Sequence, residues 1–230
     1  MKLLTRSPGA VFCLPILLLT LFIPRPHFPA GNESSSTAGR STTNSPAVER
    51  YRLDPSQSTF IAHALRGGLL WFKGHDHFIK VGDFTGEMRL TPNVINPATL
   101  TMTIRADSLE ETGAAFTPEQ KQIIKKELNE IVLEPAKYPD ITFRSTDVTG
   151  KFNGAQFEAK IGGDLSLHGV TRHIVIPASV TLEGNNLRAK GEFHINRSDF
   201  NVRATSAVHG LVRVQQKLKF TFDIVAHKER

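Results

Sequence analysis

Cysteine is nearly absent from this chain, and large polar rings are scarce. Its 230 residues contain one cysteine, one tryptophan and two tyrosines. The single cysteine, Cys13, lies close to the N-terminus, so the rest of the chain can form neither a disulfide nor a cysteine-based metal site. A domain of this length can be held together by burial of apolar surface alone.

The chain also lacks a concentration of charge of one sign. The formal net charge is +6, but residues 1–50 carry five basic and two acidic side chains, which leaves a surplus of only +3 for the other 180 residues. A surplus this small and scattered does not form the basic patch that nucleic-acid binding requires. We therefore expect no nucleic-acid partner.

Sequence motifs typical of enzymes are missing as well. The chain has no G-x-S-x-G nucleophile turn, no phosphate-binding glycine loop, no H-E-x-x-H helix and no dinucleotide-binding fingerprint. We expect a protein that is not an enzyme, has no catalytic residues and needs no cofactor.

The N-terminus has the pattern of an export signal. Lys2 and Arg6 precede an uncharged apolar run over residues 10–23. Such a run is shorter than the roughly 20 residues that cross a membrane, and it is typical of a secretory signal. We expect residues 1–30 to be a signal peptide or an N-terminal anchor. The protein is then periplasmic or secreted, and it associates with a membrane through this segment if the segment is not cleaved.

Residues 31–50 are rich in Ser, Thr, Gly and Asn and offer almost nothing to bury. Apolar burial cannot offset the entropy of fixing such a segment, so we predict a disordered linker. The folded domain is expected over residues 51–230.

Apolar side chains recur at every second position through most of the folded domain. Leu165 and Leu167 precede a short polar break around Gly169, and Ile174 and Ile176 follow it. Successive side chains of a strand point to opposite faces, so this pattern predicts a hairpin with one buried face. Similar runs give about eight strands with short connections, which predicts an all-β fold. An antiparallel up-and-down barrel and a sandwich both fit, and the length of the later strands favours the closed barrel.

One amphipathic helix is predicted among the strands, over residues 117–133. Thr117 can cap it, with Pro118 at the first helical position and Gln120 three residues after the cap. Pro135 ends it. A single helix of this kind should pack across a barrel end or on the outside of a sheet.

Polar side chains that could contact a ligand fall in two places. His75, Asp76 and His77 are adjacent, and imidazoles beside a carboxylate can ligate a metal or contact a bound molecule. Two histidines do not complete a metal site, so we predict no metal here, and loop packing is the simplest role for this group. His168 and Arg172 flank the polar break, where they either solvate a turn or meet a polar group of a ligand.

Four parts of the chain together resemble the YceI family of exported bacterial proteins. They are residues 74–77 with 84–86 (GHDH and FTG), residues 133–145 (LEPAKYPDITFRS), residues 167–172 (LHGVTR) and residues 197–200 (RSDF). Two departures from the commoner family pattern, His173 and residues 67–72, bear on the ligand rather than on the fold.

The resemblance implies a lipocalin-like barrel with an apolar tunnel that holds a long isoprenoid chain or another amphiphilic lipid. The inward-facing candidates for its wall are Phe60, Phe84, Met88, Phe143, Phe157, Leu165, Leu167, Ile176, Phe193, Leu218, Phe220 and Phe222. The candidates for a polar rim are His75, His77, His168 and Arg172.

Three functions remain open at this point. The first is a non-enzymatic, lipid-binding protein of the bacterial envelope. The second is a metal-dependent enzyme or sensor that uses His75, Asp76 and His77. The third is a structural envelope protein whose barrel is filled by its own side chains. A homodimer is compatible with each of them.

Overall fold

A computed structural model of the chain describes residues 47–207 and 212–230. The expected signal segment and residues 31–46 of the expected linker lie outside the described residues. Residues 47–50 are described, and the first strand already begins at Glu49. The first strand thus includes the last two residues of the expected linker.

The described residues form fourteen strands and one α-helix. In chain order these are β1 (Glu49–Leu53), β2 (Thr59–Ala64), β3 (Arg66–Gly67), β4 (His77–Val81), β5 (Phe84–Thr91), β6 (Val94–Arg105), β7 (Leu109–Glu111), α1 (Pro118–Glu127), β8 (Asp140–Asn153), β9 (Gln156–Leu167), β10 (Val170–Glu183), β11 (Asn186–Asn196), β12 (Ser206–Ala207), β13 (Val212–Val214) and β14 (Lys217–Lys228).

The main sheet closes on itself as an antiparallel barrel. Its strand order is β1-β5-β6-β8-β9-β10-β11-β14, and β14 pairs back onto β1 through Tyr51 and Lys228. This arrangement confirms the predicted eight-stranded barrel. Closure leaves no open sheet edge at the seam, because every strand of the ring has a neighbour on both sides.

The chain between Tyr51 and Leu65 is two strands rather than one continuous run. A turn at Pro55–Gln57 separates β1 from β2, and the Asp54 side chain accepts a hydrogen bond from the Ser56 backbone N–H at 2.9 Å. As a result β14 pairs with β1 along one part and with β2 along another. Beyond β2 the sheet continues through β4 to β7. The strands β3, β13 and β12 form a second, three-stranded sheet.

The long strands are joined by tight turns, as their turn residues predict. Only His168 and Gly169 separate Leu167 from its partner Val170, and both adopt a positive φ, 50° and 74°. The polar break predicted around Gly169 is therefore a two-residue turn, of the kind whose backbone twist suits a hairpin.

The predicted helix is present and begins as expected. The Thr117 side chain accepts from the Gln120 N–H, and the Gln120 side chain accepts from the Thr117 N–H, which together form a capping box. The α-helical part ends at Glu127, and a π-helical turn continues from Leu128 to Val132. Residues 117–133 were predicted as one regular helix, so the last turn differs from the prediction.

Candidate functional site: an apolar cavity in the barrel

The barrel encloses two adjoining cavities, both lined mainly by apolar side chains. The helix-side chamber, which α1 and β4 help to line, has a volume of about 170 Å³. The inner chamber, which all eight strands of the ring and Phe60 of β2 line, has a volume of about 100 Å³. Five residues line both chambers and mark where they adjoin: Phe60, Ile104, Ile141, Leu165 and Phe193.

These volumes are large for the interior of a folded protein. In the liquid each water occupies about 30 Å³, so the two chambers together accommodate on the order of ten water-sized groups. A methylene group is about as large as a water molecule. The space therefore suits about ten carbons of a slender hydrocarbon chain.

Phenylalanine rings form the wall where the chambers meet. The centroid of the Phe60 ring lies 6.1 to 6.4 Å from those of Phe193, Phe220 and Phe222. The rings of Phe193 and Phe220 stack with centroids 4.9 Å apart and an interplanar angle of 11°. The alternation of β11 and β14 produces this group, because Phe193 pairs with Phe220 across the two strands. The cluster gives the cavity an apolar wall of packed rings.

Polar side chains reach the helix-side chamber at a few positions. The titratable ones are His77, Glu127, Arg197 and Arg203. Arg197 donates to the backbone carbonyls of Gln215 and Val202, both at 3.2 Å. Burial lowers the pKa of the Arg197 guanidinium, and repulsion from a neighbouring arginine adds to the effect. Arg197 therefore ties the turn after β11 to the segment before β14.

His77 is held by a buried carboxylate. Its ring Nδ1 lies 2.8 Å from Oε2 of Glu111, whose side chain is 0% exposed. The same carboxylate accepts backbone N–H bonds from Phe78 at 3.1 Å and Gly113 at 2.6 Å. Burial raises the pKa of Glu111, but these hydrogen bonds outweigh burial and leave the pKa below its ordinary value.

The other members of the early polar group have different neighbours. The His75 ring meets the edge of the Phe116 ring at 5.6 Å, and His75 does not line either chamber. Asp76 accepts from the Arg66 backbone N–H at 2.9 Å. Among the described residues, no three His, Cys, Asp or Glu side chains are placed to hold a metal ion. The geometry gives the metal-dependent alternative no support.

Comparison with known proteins identifies the family to which this barrel belongs. The YceI-like domain model matches residues 51–226, which is most of the chain. The chain belongs to the YceI-like family. Two curated relatives are proteins of the UPF0312 group: one from Pseudomonas fluorescens is 37% identical over 100 residues, covering 39% of this chain and 48% of the relative. One from Vibrio parahaemolyticus is 43% identical over 54 residues, covering 24% and 27%. The matches thus span about half the length of these relatives or less.

Solved structures share the fold of this YceI-like domain. BcnA of Burkholderia cenocepacia matches with a TM-score of 0.59 and 18% identity over 75% of this chain and 98% of that protein. A polyisoprenoid binding domain from Saccharophagus degradans matches with a TM-score of 0.55 and 14% identity over 78% and 98%. The YCEI protein of Campylobacter jejuni matches with a TM-score of 0.52 and 19% identity over 66% and 84%. At these identities the likeness concerns the fold.

Most of the apolar side chains expected to line the tunnel of the YceI-like domain do line a chamber, although their role in binding stays a prediction. They are Phe60, Met88, Phe143, Leu165, Leu167, Ile176, Phe193, Leu218, Phe220 and Phe222. Phe84 and Phe157 line neither. Phe84 is 2% exposed and packs in the core, and Phe157 lies against Phe152 in a separate pocket near the β8–β9 turn. Alternation gives the face of a side chain but not its depth along the barrel.

Several residues that line the chambers were not predicted as site residues from the sequence. Ile79 and Val81 of β4 line the helix-side chamber, and so do Ile124, Leu128 and Val132 of the helical segment. The short alternation in β4 and the apolar helix face were visible in the sequence. They indicated packing and did not reveal that the helix lines the same cavity as the strands.

Three of the four residues expected at the polar rim lie away from the two chambers. His168 is 8% exposed, and its Nε2 lies 2.7 Å from the Glu134 carboxylate, while its ring packs on Tyr138 at 4.4 Å. Arg172 donates to the Asp199 carbonyl at 3.2 Å and lines a separate polar pocket. Neither residue lines the two chambers, and contact of either with a ligand stays a prediction. His75 also lies off the chambers, and only His77 of the four lines one.

Proposed function

We propose that this YceI-like protein binds a long-chain isoprenoid or a similar amphiphilic lipid inside its barrel, as a non-enzymatic protein of the bacterial envelope. The observation that carries this proposal is the pair of adjoining apolar chambers. They share Phe60, Leu165 and Phe193, so a single chain can occupy both.

The energetics favour a hydrocarbon ligand. Each methylene group that leaves water for such a wall contributes about 0.8 kcal/mol. The inner chamber is lined by apolar residues apart from Thr142, so it offers little to a polar ligand. A barrel filled by its own side chains would lack this space, which argues against the purely structural alternative.

The comparisons add support from the family. One neighbour in fold is described as a polyisoprenoid binding domain, and its TM-score with this chain is 0.55. The export that we propose depends on residues 1–30, where a basic start precedes an apolar run. Fractionation of cells that express the full chain tests it: export predicts the protein in the periplasm, medium or envelope, and recovery in the cytosol contradicts it. No helix within residues 47–207 and 212–230 is both long and apolar enough to cross a bilayer.

The ligand itself is tested by extraction. The full chain is purified, extracted with organic solvent and analysed by mass spectrometry. We expect about one prenyl or acyl lipid for each protein molecule. Protein freed of lipid should take up geranylgeraniol, a C20 isoprenoid long enough to fill both chambers. Absence of any lipid after purification, together with no uptake of the added isoprenoid, would contradict the proposal.

A matched pair of variants on β10 locates the binding. Ala178 is 5% exposed and lines the inner chamber, whereas Val175 is 54% exposed on the opposite face. Ala178→Phe fills the chamber and should weaken geranylgeraniol binding at least tenfold. Val175→Phe adds the same ring outside and should leave binding unchanged. Equal affinities of the two variants would place the ligand outside the barrel.

A further inference from the structure

An amphiphilic ligand in this cavity needs a position for its polar head. The basic candidates, His77, Arg197 and Arg203, differ in how far the protein already uses them. Arg197 spends two donors on backbone carbonyls, and Arg203 is exposed. His77 differs from both: it lines the helix-side chamber, its side chain is 24% exposed, and the described residues engage only one of its two ring nitrogens.

We infer that His77 is the head-group site of the cavity, and that its ring Nε2 accepts a hydrogen bond from a hydroxyl group of the bound lipid. The inference rests on the proposed function and adds the chemical class of the ligand: an isoprenoid alcohol, phenol or similar hydroxyl-bearing chain.

The position of the His77 ring is fixed from two sides. Its Nδ1 lies 2.8 Å from the Glu111 carboxylate, and its plane stacks on the Phe116 ring with centroids 4.9 Å apart and an interplanar angle of 15°. Within the part of the chain that the structure describes, Nε2 has no hydrogen-bond partner. Nε2 is therefore the nitrogen left for a ligand in the chamber that His77 lines.

Glu111 also decides the chemistry of that nitrogen. Its side chain is fully buried, and its two oxygens accept from His77 and from the backbone N–H groups of Phe78 and Gly113. A carboxylate surrounded by donors is an acceptor, so the imidazole must carry a hydrogen on Nδ1 to pair with it. In the neutral ring Nε2 then has a lone pair and no hydrogen.

This assignment selects between ligands of equal length. A hydroxyl group donates to Nε2, whereas an ether or the carbonyl of an oxidised quinone offers only acceptors. A net hydrogen bond in a largely apolar site corresponds to about a five- to tenfold change in affinity. The site should therefore discriminate an alcohol from its methyl ether although both place the same chain in the chambers.

The experiment compares geranylgeraniol with its methyl ether on the full chain freed of lipid. We expect the wild type to bind the alcohol about five- to tenfold more tightly. In His77→Asn the side-chain amide stands near the place of Nδ1, so it can keep the bond to Glu111 while the outer nitrogen is lost. We expect this variant to bind both ligands with the affinity that the wild type has for the ether.

The control is His75→Asn, which changes the other histidine that contacts Phe116 but lines no chamber. It should keep the preference for the alcohol. A wild type that binds both ligands equally, or a His77→Asn variant that retains the preference, would overturn the inference while leaving lipid binding intact. If neither ligand binds the wild type, the proposed function itself fails.

A second measurement needs no variant and so remains decisive if His77→Asn does not fold. The ¹⁵N resonance of His77 Nε2 reports directly on a hydrogen bond at that atom. We expect it to shift on addition of geranylgeraniol and to stay nearly unchanged with the methyl ether. An equal response to both ligands would contradict the assignment.

Discussion

Gly169 shows how a single residue couples a turn to distant packing. It lies in the His168-Gly169 turn with a φ of 74°, and a Cβ placed there would come within 2.6 Å of the Tyr138 ring. The Tyr138 ring in turn packs on His168, whose Nε2 contacts Glu134. Residues 133–145 and 167–172 both resembled the family in sequence. In the folded chain these two segments contact each other.

The first prediction compares two glycines with the same backbone requirement. Gly154 has a φ of 62° in the β8–β9 turn, and a Cβ there would meet nothing within 4 Å. Gly154→Ala should lower the free energy of unfolding by about 1 kcal/mol, from the left-handed backbone alone. Gly169→Ala should lower it by about 3 kcal/mol, because the clash with Tyr138 adds to that cost. Urea denaturation measures both changes in the free energy of unfolding. Equal decreases would show that the Tyr138 ring moves aside at no cost.

At the scale of elements, β14 holds the barrel together. It pairs with β11 along its whole length and with β2 and β1 on its other side. The sequence predicted Phe222 inward, and the alternation of a strand then places its neighbour Asp223 outward. In the structure Phe222 lines the inner chamber, and Asp223 pairs on the outside with Arg188, to which both oxygens lie at 2.7 Å. The register of β14 therefore agrees with the prediction.

The second prediction uses these two neighbours. Phe222→Glu places a charge against the apolar chamber and should lower the free energy of unfolding by about 3 kcal/mol or more. Asp223→Asn weakens a surface ion pair and should cost less than about 1 kcal/mol. Thermal or urea denaturation of the two variants measures the difference. Similar tolerance of both would mean that the register of β14 is shifted by one residue.

At the scale of the whole molecule, the barrel stabilises itself around a space that it does not fill. The chambers of about 170 and 100 Å³ are bounded by side chains from strands and helix alike. A ligand that binds only the folded barrel must then raise its stability, because it shifts the folding equilibrium by mass action.

The third prediction is that removal of lipid lowers thermal stability. Free lipid at about 100 times its dissociation constant should add roughly 2.7 kcal/mol to the free energy of unfolding. For a domain of this size that corresponds to a rise in Tm of about 5–10 °C. Differential scanning calorimetry of lipid-free and lipid-loaded protein measures it, with Ala178→Phe as the control that should gain much less. An unchanged Tm of the wild type at saturating lipid would contradict the prediction.

The sequence by itself determined which face of each long strand is buried, where the hairpins turn and where the helix begins. These features depend on neighbours in the chain: the two-residue alternation of Phe220 and Phe222, the backbone freedom of Gly169, and the cap at Thr117. Local rules of side-chain direction and backbone conformation are sufficient for them.

Only the tertiary structure decided what the inward faces enclose. It showed that Phe84 packs in the core and that Phe157 lies at the end of the barrel. It also showed that His168 supports a turn while His77 reaches the cavity on the buried carboxylate of Glu111. Depth along the barrel and the partner of a polar group are set by residues far apart in the chain. The chain pattern therefore predicted the barrel, and the folded structure defined its cavity.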